Sequence, residues 1–356
     1  MEQRLQQVRQ NVANGHIVPG LIFQGYDIET TWEPLCKLLN DFDHFRALRF
    51  IRCNISSESL IKFMRSLHRY KLSSIGISGT PVDENVMAAV VAMLEETPRM
   101  NRIALRQCDI SDKTFPRLVH ALKNSGLLGL DVCGNHIQKT FCNLVHVLRH
   151  ESTCLRRLLL SGNFLDDDNL IAIADVLGHT HIDELGVGSH RVTPRGLGHL
   201  VDVLSKKTNK VVKLDLSTSA HMMRESADIV QRMLRETNLE CLALLKCELT
   251  SEHLDAIAIG VKDSLTLEEL DVRQNPNIRP DDLYRFLDLI GPHRAFRKLI
   301  TEYETSVQQK ISARLARLHT KEANMKTLLL CGHAPVHLST YSALPRELMR
   351  VWLSMF

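Results

Sequence analysis

The chain has 356 residues, with 44 Lys and Arg against 41 Asp and Glu, and its formal charge of +3 is too balanced to make nucleic acid or an anionic membrane the expected partner. Its 9 cysteines are an odd number with no C-x-x-C pair, which argues against both a disulfide framework and a zinc site. No window approaches the roughly 18 apolar residues needed to cross a bilayer, and the opening residues lack the apolar core of a signal peptide, so a soluble, cytoplasmic chain is expected.

Residues 1–17 are predicted to form an N-terminal helical cap, because Leu5, Val8 and Val12 recur at helical spacing among Gln and Arg. From Val18 a different pattern sets in, clearest near the middle of the chain as Leu155, Leu158 and Leu160 followed by Asn163 and Leu165. With Leu158 as a marker, the same position recurs at Leu21, Leu48, Ile75, Ile103, Leu130, Leu185, Leu214, Leu242, Leu270, Leu299 and Leu328, at separations of 27 to 29 residues. The residue three before each marker is apolar throughout, and the residue two after is apolar everywhere except at Thr301.

An L-x-L core makes a short strand with both leucines on one side, and one such segment cannot bury its own apolar face. A stack of about 12 repeats is therefore predicted over residues 18–340. A helix follows each strand, read from Leu60, Phe63, Met64 and Leu67 in the second repeat and from Leu170, Ala174 and Leu177 in the sixth. Ser111-Asp112, Asp166-Asp167-Asp168, Thr250-Ser251 and Asp281-Asp282 stand where those helices begin and are read as caps. The triple aspartate is not read as a calcium site, because a calcium loop spreads its oxygens over about a dozen residues around a glycine bend. Strands stack about 4.8 Å apart and helices about 10 Å apart, so the array must curve with its strands inside. Leu344, Leu348, Val351, Trp352 and Met355 share one helical face, which predicts a C-terminal helical cap over residues 341–356, with an exposed partner-binding helix as the alternative.

This period, with a helix in every repeat and Asn or Cys five residues after the marker, resembles the ribonuclease-inhibitor-like subfamily of leucine-rich-repeat proteins over residues 18–336. The resemblance implies an α/β solenoid: a horseshoe with a concave parallel β-sheet and convex helices. The family's ladder position holds Cys53, Cys108, Asn135, Asn163, Cys247 and Asn275, and departs from Asn or Cys at Tyr26, Thr80, His190, Ser219, Glu304 and His333. Those three cysteines are thereby expected to be buried structural thiols rather than nucleophiles.

No catalytic set stands out. His146 and His150 have zinc-ligand spacing, but no Glu follows the first to act as a base, and Gly76 and Gly186-Val187-Gly188 fall in strands rather than in a phosphate loop. Neither metal nor cofactor is expected, and function must be read from the surface that the fold exposes. The residues one before, one after and three after each marker face the inside of the curve. They include Arg49, Arg102, Arg106 and Arg157, with Arg52 at the rim, and then Asp131, Glu184, Asp215, Glu269, Asp271 and Arg273. A basic patch giving way to an acidic one suits a bipolar protein partner, although the charges could equally solvate an open sheet. Ser74, Gly76 and Ser78 on the third strand offer no carboxylate to offset the arginines, which points to an acidic partner. The expected function is a non-catalytic intracellular interaction module or scaffold subunit that binds another protein, not nucleic acid or membrane. Cytoskeletal or ciliary assemblies are among the settings the resemblance allows. The alternative it implies is a GTPase activator of the Ran-activator type.

Overall fold

Eleven of the twelve markers fall inside β-strands of the computed structural model, which describes residues 2–14, 20–42, 45–149, 153–223, 225–291 and 293–318. The twelfth marker, Leu328, His150 and the C-terminal cap expected over residues 341–356 lie outside the described residues. The chain divides into two compact units, the first running through Leu158 and the second starting at Leu159.

The first unit carries β1 (Gly20–Gln24), β2 (Ala47–Ile51), β3 (Ser74–Ser78), β4 (Arg102–Arg106) and β5 (Gly129–Asp131), and β6 (Arg157–Leu159) spans the division. The strands β1 to β5 pair in parallel and in chain order, and the markers Leu21, Leu48, Ile75, Ile103 and Leu130 stand directly opposite one another. In the second unit β7 (Glu184–Gly186), β8 (Lys213–Asp215), β9 (Cys241–Ala243), β10 (Glu269–Asp271) and β11 (Lys298–Ile300) repeat the arrangement, with Leu185, Leu214, Leu242, Leu270 and Leu299 in one row. A one-residue slip would turn each marker out of the core, so the leucine row itself sets the register.

Markers and the residues two after them are buried between sheet and helices; Leu158 and Leu160, for example, are 0% exposed. Burying each such side chain stabilises by roughly 1.5–3 kcal/mol relative to leaving it in water. Aromatic rings thicken this core at the N-terminal end, where Phe23 stacks on Phe50 at 5.9 Å and Trp32 lies 4.9 Å from Phe63. The helix Glu2–Ala13 buries Leu5 and Val8. Among the described residues no helix is long and apolar enough to cross a membrane.

Nine of the eleven described strands leave the sheet through one recurrent backbone device. The residue four after the marker is left-handed at Gly25, Arg52, Gly79, Gln107, Gly134, Gly162, Thr218, Lys246 and Gln274, with φ between +48° and +74°. Next to it lies the ladder position. The Asn135 carboxamide accepts from Cys108 N (2.9 Å) and Ile110 N (3.0 Å) while donating to Leu105 O (2.7 Å) and Val132 O (2.8 Å). Asn275 makes the same four bonds to Cys247 N, Leu249 N, Leu244 O and Val272 O. Where the position is Cys, the thiol donates to the preceding strand: Cys53 to Phe23 O, Cys108 to Ile77 O and Cys247 to Leu216 O. The seventh repeat departs from the arithmetic. His190, five after its marker, is exposed, and the ladder role falls one residue earlier on fully buried Ser189, whose hydroxyl donates to Asn163 O and Leu165 O. That repeat lacks the left-handed residue, so its turn is shorter.

The expected helix caps divide into two kinds. Asp166 accepts from Asn169 N (3.0 Å) at the start of the helix Asp167–Leu177, and Thr250 opens the helix Ser251–Asp263 in a capping box with His253. Asp112 does something different. The helix of its repeat starts only at Phe115, and the Asp112 carboxylate instead accepts from Gln138 N, Lys139 N and Thr140 N of the following repeat. Asp167 does the same with Thr193 N (2.8 Å) and Thr193 Oγ1 (2.6 Å). These two aspartates join neighbouring repeats, because the backbone N–H groups that open the next turn have no partner of their own.

Candidate functional site: the arginine face of the first unit

On the sheet face away from the helices, the first unit presents a shallow pocket lined by Ala47, Arg49, Ser74, Gly76, Arg102, Ala104, Gly129, Asp131 and Arg157. Register explains the floor. Gly76 stands opposite Arg49, and Gly129 opposite Arg102. A Cβ at Gly76 would lie 3.1 Å from Arg49 Nε, and one at Gly129 would lie 3.1 Å from Arg102 Cγ. The two arginine stems therefore lie flat across the neighbouring strand, over glycines that have no side chain to lift them. Mid-strand glycine weakens a sheet, and a close approach by other atoms is the usual reason to find one there.

The carboxylate that the third strand does not supply comes from the fifth. Asp131, 6% exposed, takes both Nε and Nη2 of Arg106 on Oδ2 at 2.5 Å, and its Oδ1 accepts from Cys133 N at 3.1 Å. Burial and the positive charge of Arg106 pull the Arg49 guanidinium down to about 10; Asp131 opposes that shift and Arg157 adds to it. Arg49 is still charged at neutral pH, and it senses the other charges of the face directly. Arg52 stands apart on the left-handed turn after β2, exposed, with its backbone N–H donated to Ser78 O.

The second unit's charges are arranged differently. Arg273 forks onto Asp271, with Nη2 to Oδ2 at 2.7 Å and Nε to Oδ1 at 3.0 Å, and Lys298 reaches Glu269 at 2.9 Å. The Asp271 hydrogen bond is the main reason the Arg273 guanidinium is held above its ordinary value. Asp215 accepts from Ser217 N (2.9 Å) and Ser161 Oγ (3.4 Å), and Glu184 is half-buried on β7. The acidic residues at β10 are thus internally paired.

No protein-family model matches the chain. It is 24% identical over 225 residues to the mouse (Mus musculus) NACHT, LRR and PYD domains-containing protein 9B, an alignment that takes in 62% of this chain. This chain spans 20% of the length of that relative. Among solved structures, a chain from the complex of Rad7 and Elc1 in yeast superposes with a TM-score of 0.57 at 15% identity, covering 84% of this chain and 77% of that one. The chain has the leucine-rich-repeat fold.

In this fold the ladder accounts for three of the cysteines. Cys53, Cys108 and Cys247 are buried donors to backbone carbonyls, and burial raises all three thiols, Cys108 and Cys247 to about 12. They are the opposite of activated nucleophiles. Sequence reasoning found the arginines but missed Asp131 as the partner of Arg106. The β4–β5 register, in which Asp131 pairs with Ala104, puts it two residues along the strand from Arg106.

Proposed function

We propose that this leucine-rich-repeat protein is a non-catalytic interaction module, a scaffold subunit whose open sheet face in the first unit engages another protein. The observation that carries the reading is the matched pairing of Arg49 with Gly76 and of Arg102 with Gly129. Nothing in the core needs glycine at those positions, whereas a shallow face lined with extended guanidinium stems does. Arg is favoured at interface anchors because its planar fork makes several directed hydrogen bonds at once. The solved neighbour comes from a complex of Rad7 and Elc1, which supports assembly with a protein as the role of the fold. The helix in each repeat and the Cys and Asn ladder support the ribonuclease-inhibitor-like subfamily. Cysteines used as buried hydrogen-bond donors support a reducing, intracellular compartment such as the cytoplasm.

The test is site-specific photo-crosslinking in cells of the source organism. A photoreactive residue at Ser74 or Ser78 on the open face should capture a discrete protein, and one at exposed Glu95 on the helical side should not. Capture only from Glu95 would move the interface to the helices. Stimulated GTP hydrolysis in a panel of small GTPases would replace the scaffold reading with the activator one.

A further inference from the structure

The chemistry of the open face narrows the kind of partner it takes. Three features converge there. Arg49, Arg102 and Arg157 border one pocket, and the glycine floor holds the stems of the first two flat. Next to them a carboxylate is already bound by a guanidinium, since Asp131 takes both Arg106 N–H groups on a single oxygen. The pocket lining contains no aromatic ring.

Each feature selects among anions. Guanidinium forks match the planar, two-oxygen geometry of a carboxylate. A single-stranded nucleic acid is usually gripped by aromatic side chains on which its bases stack, and the lining offers none. The formal charge of +3 over the whole chain gives no long-range field for a polyanion, so attraction is local to this face. Asp131 shows where a carboxylate sits on it, and Arg49 feels that charge as stabilising against the repulsion of Arg106 and Arg157.

We propose that this face binds carboxylate side chains from an acidic segment of a partner protein, with Arg49 and Arg102 as the anchoring forks and Asp131 as a built-in carboxylate that competes for Arg106. The inference rests on the interaction-module reading and adds the partner's chemistry to it. It also sets a sign that a merely solvated or structural cluster would not show: removing the internal acid strengthens capture of an external one.

The experiment is fluorescence anisotropy of a labelled glutamate-rich decapeptide against the full chain, at about 50 and 200 mM salt, with a single-stranded oligonucleotide of equal charge as the comparison. Arg49→Gln and Arg102→Gln are each expected to weaken peptide binding by about tenfold, and Arg49→Lys by less, because the ammonium keeps the charge but loses the fork. Asp131→Asn should tighten it. Gly76→Ala should weaken it while leaving the melting temperature nearly unchanged, since the three atoms nearest the added Cβ all belong to the flexible Arg49 side chain. Thermal melts of every variant confirm that it is folded. If Asp131→Asn proves unstable, the two glutamine variants and Gly76→Ala decide.

Equal peptide binding by wild type and both glutamine variants would overturn the proposal. So would tighter binding of the oligonucleotide that those variants abolish, which would make this a nucleic-acid face. A folded Asp131→Asn protein with unchanged or weaker peptide binding would remove Asp131 from the role given to it. Crosslinks from Ser74 and Ser78 to a protein partner, persisting where the peptide fails to bind, would leave the interaction module standing and sink only its acidic specificity.

Discussion

Asn135→Ala should be among the most destabilising single substitutions in the first unit. The side chain is 2% exposed, and its carboxamide satisfies two backbone N–H groups, at Cys108 and Ile110, and two carbonyls, at Leu105 and Val132. Truncation removes all four bonds. An unsatisfied buried polar group costs about 1–3 kcal/mol, which puts a ceiling of roughly 4–12 kcal/mol on the loss. The backbone groups that Asn135 bonds line the vacated space, and a water making about three hydrogen bonds can enter it, so the expected net loss is about 3–5 kcal/mol. Cys108→Ala at the equivalent position is the internal control. Its thiol donates weakly to Ile77 O (3.5 Å) and Arg106 O (3.2 Å), so about 1 kcal/mol is expected. Urea titration gives the ranking, and amide hydrogen exchange at Cys108 and Ile110 shows whether the opening is local, since a repeat array need not unfold as one cooperative block. An Asn135→Ala protein within about 0.5 kcal/mol of wild type, with both amides still protected, would refute the ladder as a source of stability.

Burial by itself would raise the Asp112 carboxyl, but the N–H groups of Gln138, Lys139 and Thr140 and the Thr140 hydroxyl outweigh it and hold the carboxyl below its ordinary value of 3.8. That stabilisation is present above about pH 4 and is lost as pH falls through the lower folded-state value, so Asp112→Asn should destabilise at neutral pH and flatten the acid limb of a stability curve; an unchanged limb would count against the inter-repeat bond. At neutral pH a thiol reagent should label exposed Cys142 and Cys154 quickly and spare Cys108 and Cys247, which are held at about 12, until the protein unfolds; peptide mapping of the labelled sites checks this. Gly188→Ala should cost more than about 3 kcal/mol, because its Cβ would stand 1.8 Å from Ser217 O and 2.8 Å from Leu216 C, both backbone atoms that cannot rotate away; a soluble variant with a wild-type melting temperature would show that the strands can separate there.

The repeat was legible in the sequence because it is written in leucine spacing. Burial has only one way to satisfy an L-x-L segment recurring every 27 to 29 residues, and the markers from Leu21 to Leu130 and from Leu185 to Leu299 duly stand opposite one another. The same arithmetic placed the arginines on the open face and Cys53, Cys108 and Cys247 on the ladder. It failed where a turn changed length, putting His190 where Ser189 stands, because side-chain spacing does not record backbone dihedrals. It also failed wherever a polar group bonds a neighbouring repeat. Asp112 looks like the cap of its own helix, yet its acceptors are used by N–H groups 26 to 28 residues away. Asp131 reads as one more acidic residue until the β4–β5 register brings it to Arg106. Hydrophobic periodicity is a property of the chain and survives in one dimension. The pairing of charges and the filling of a glycine by another strand's arginine depend on which atoms the stacked strands bring within a few ångströms, and only the tertiary structure decides that.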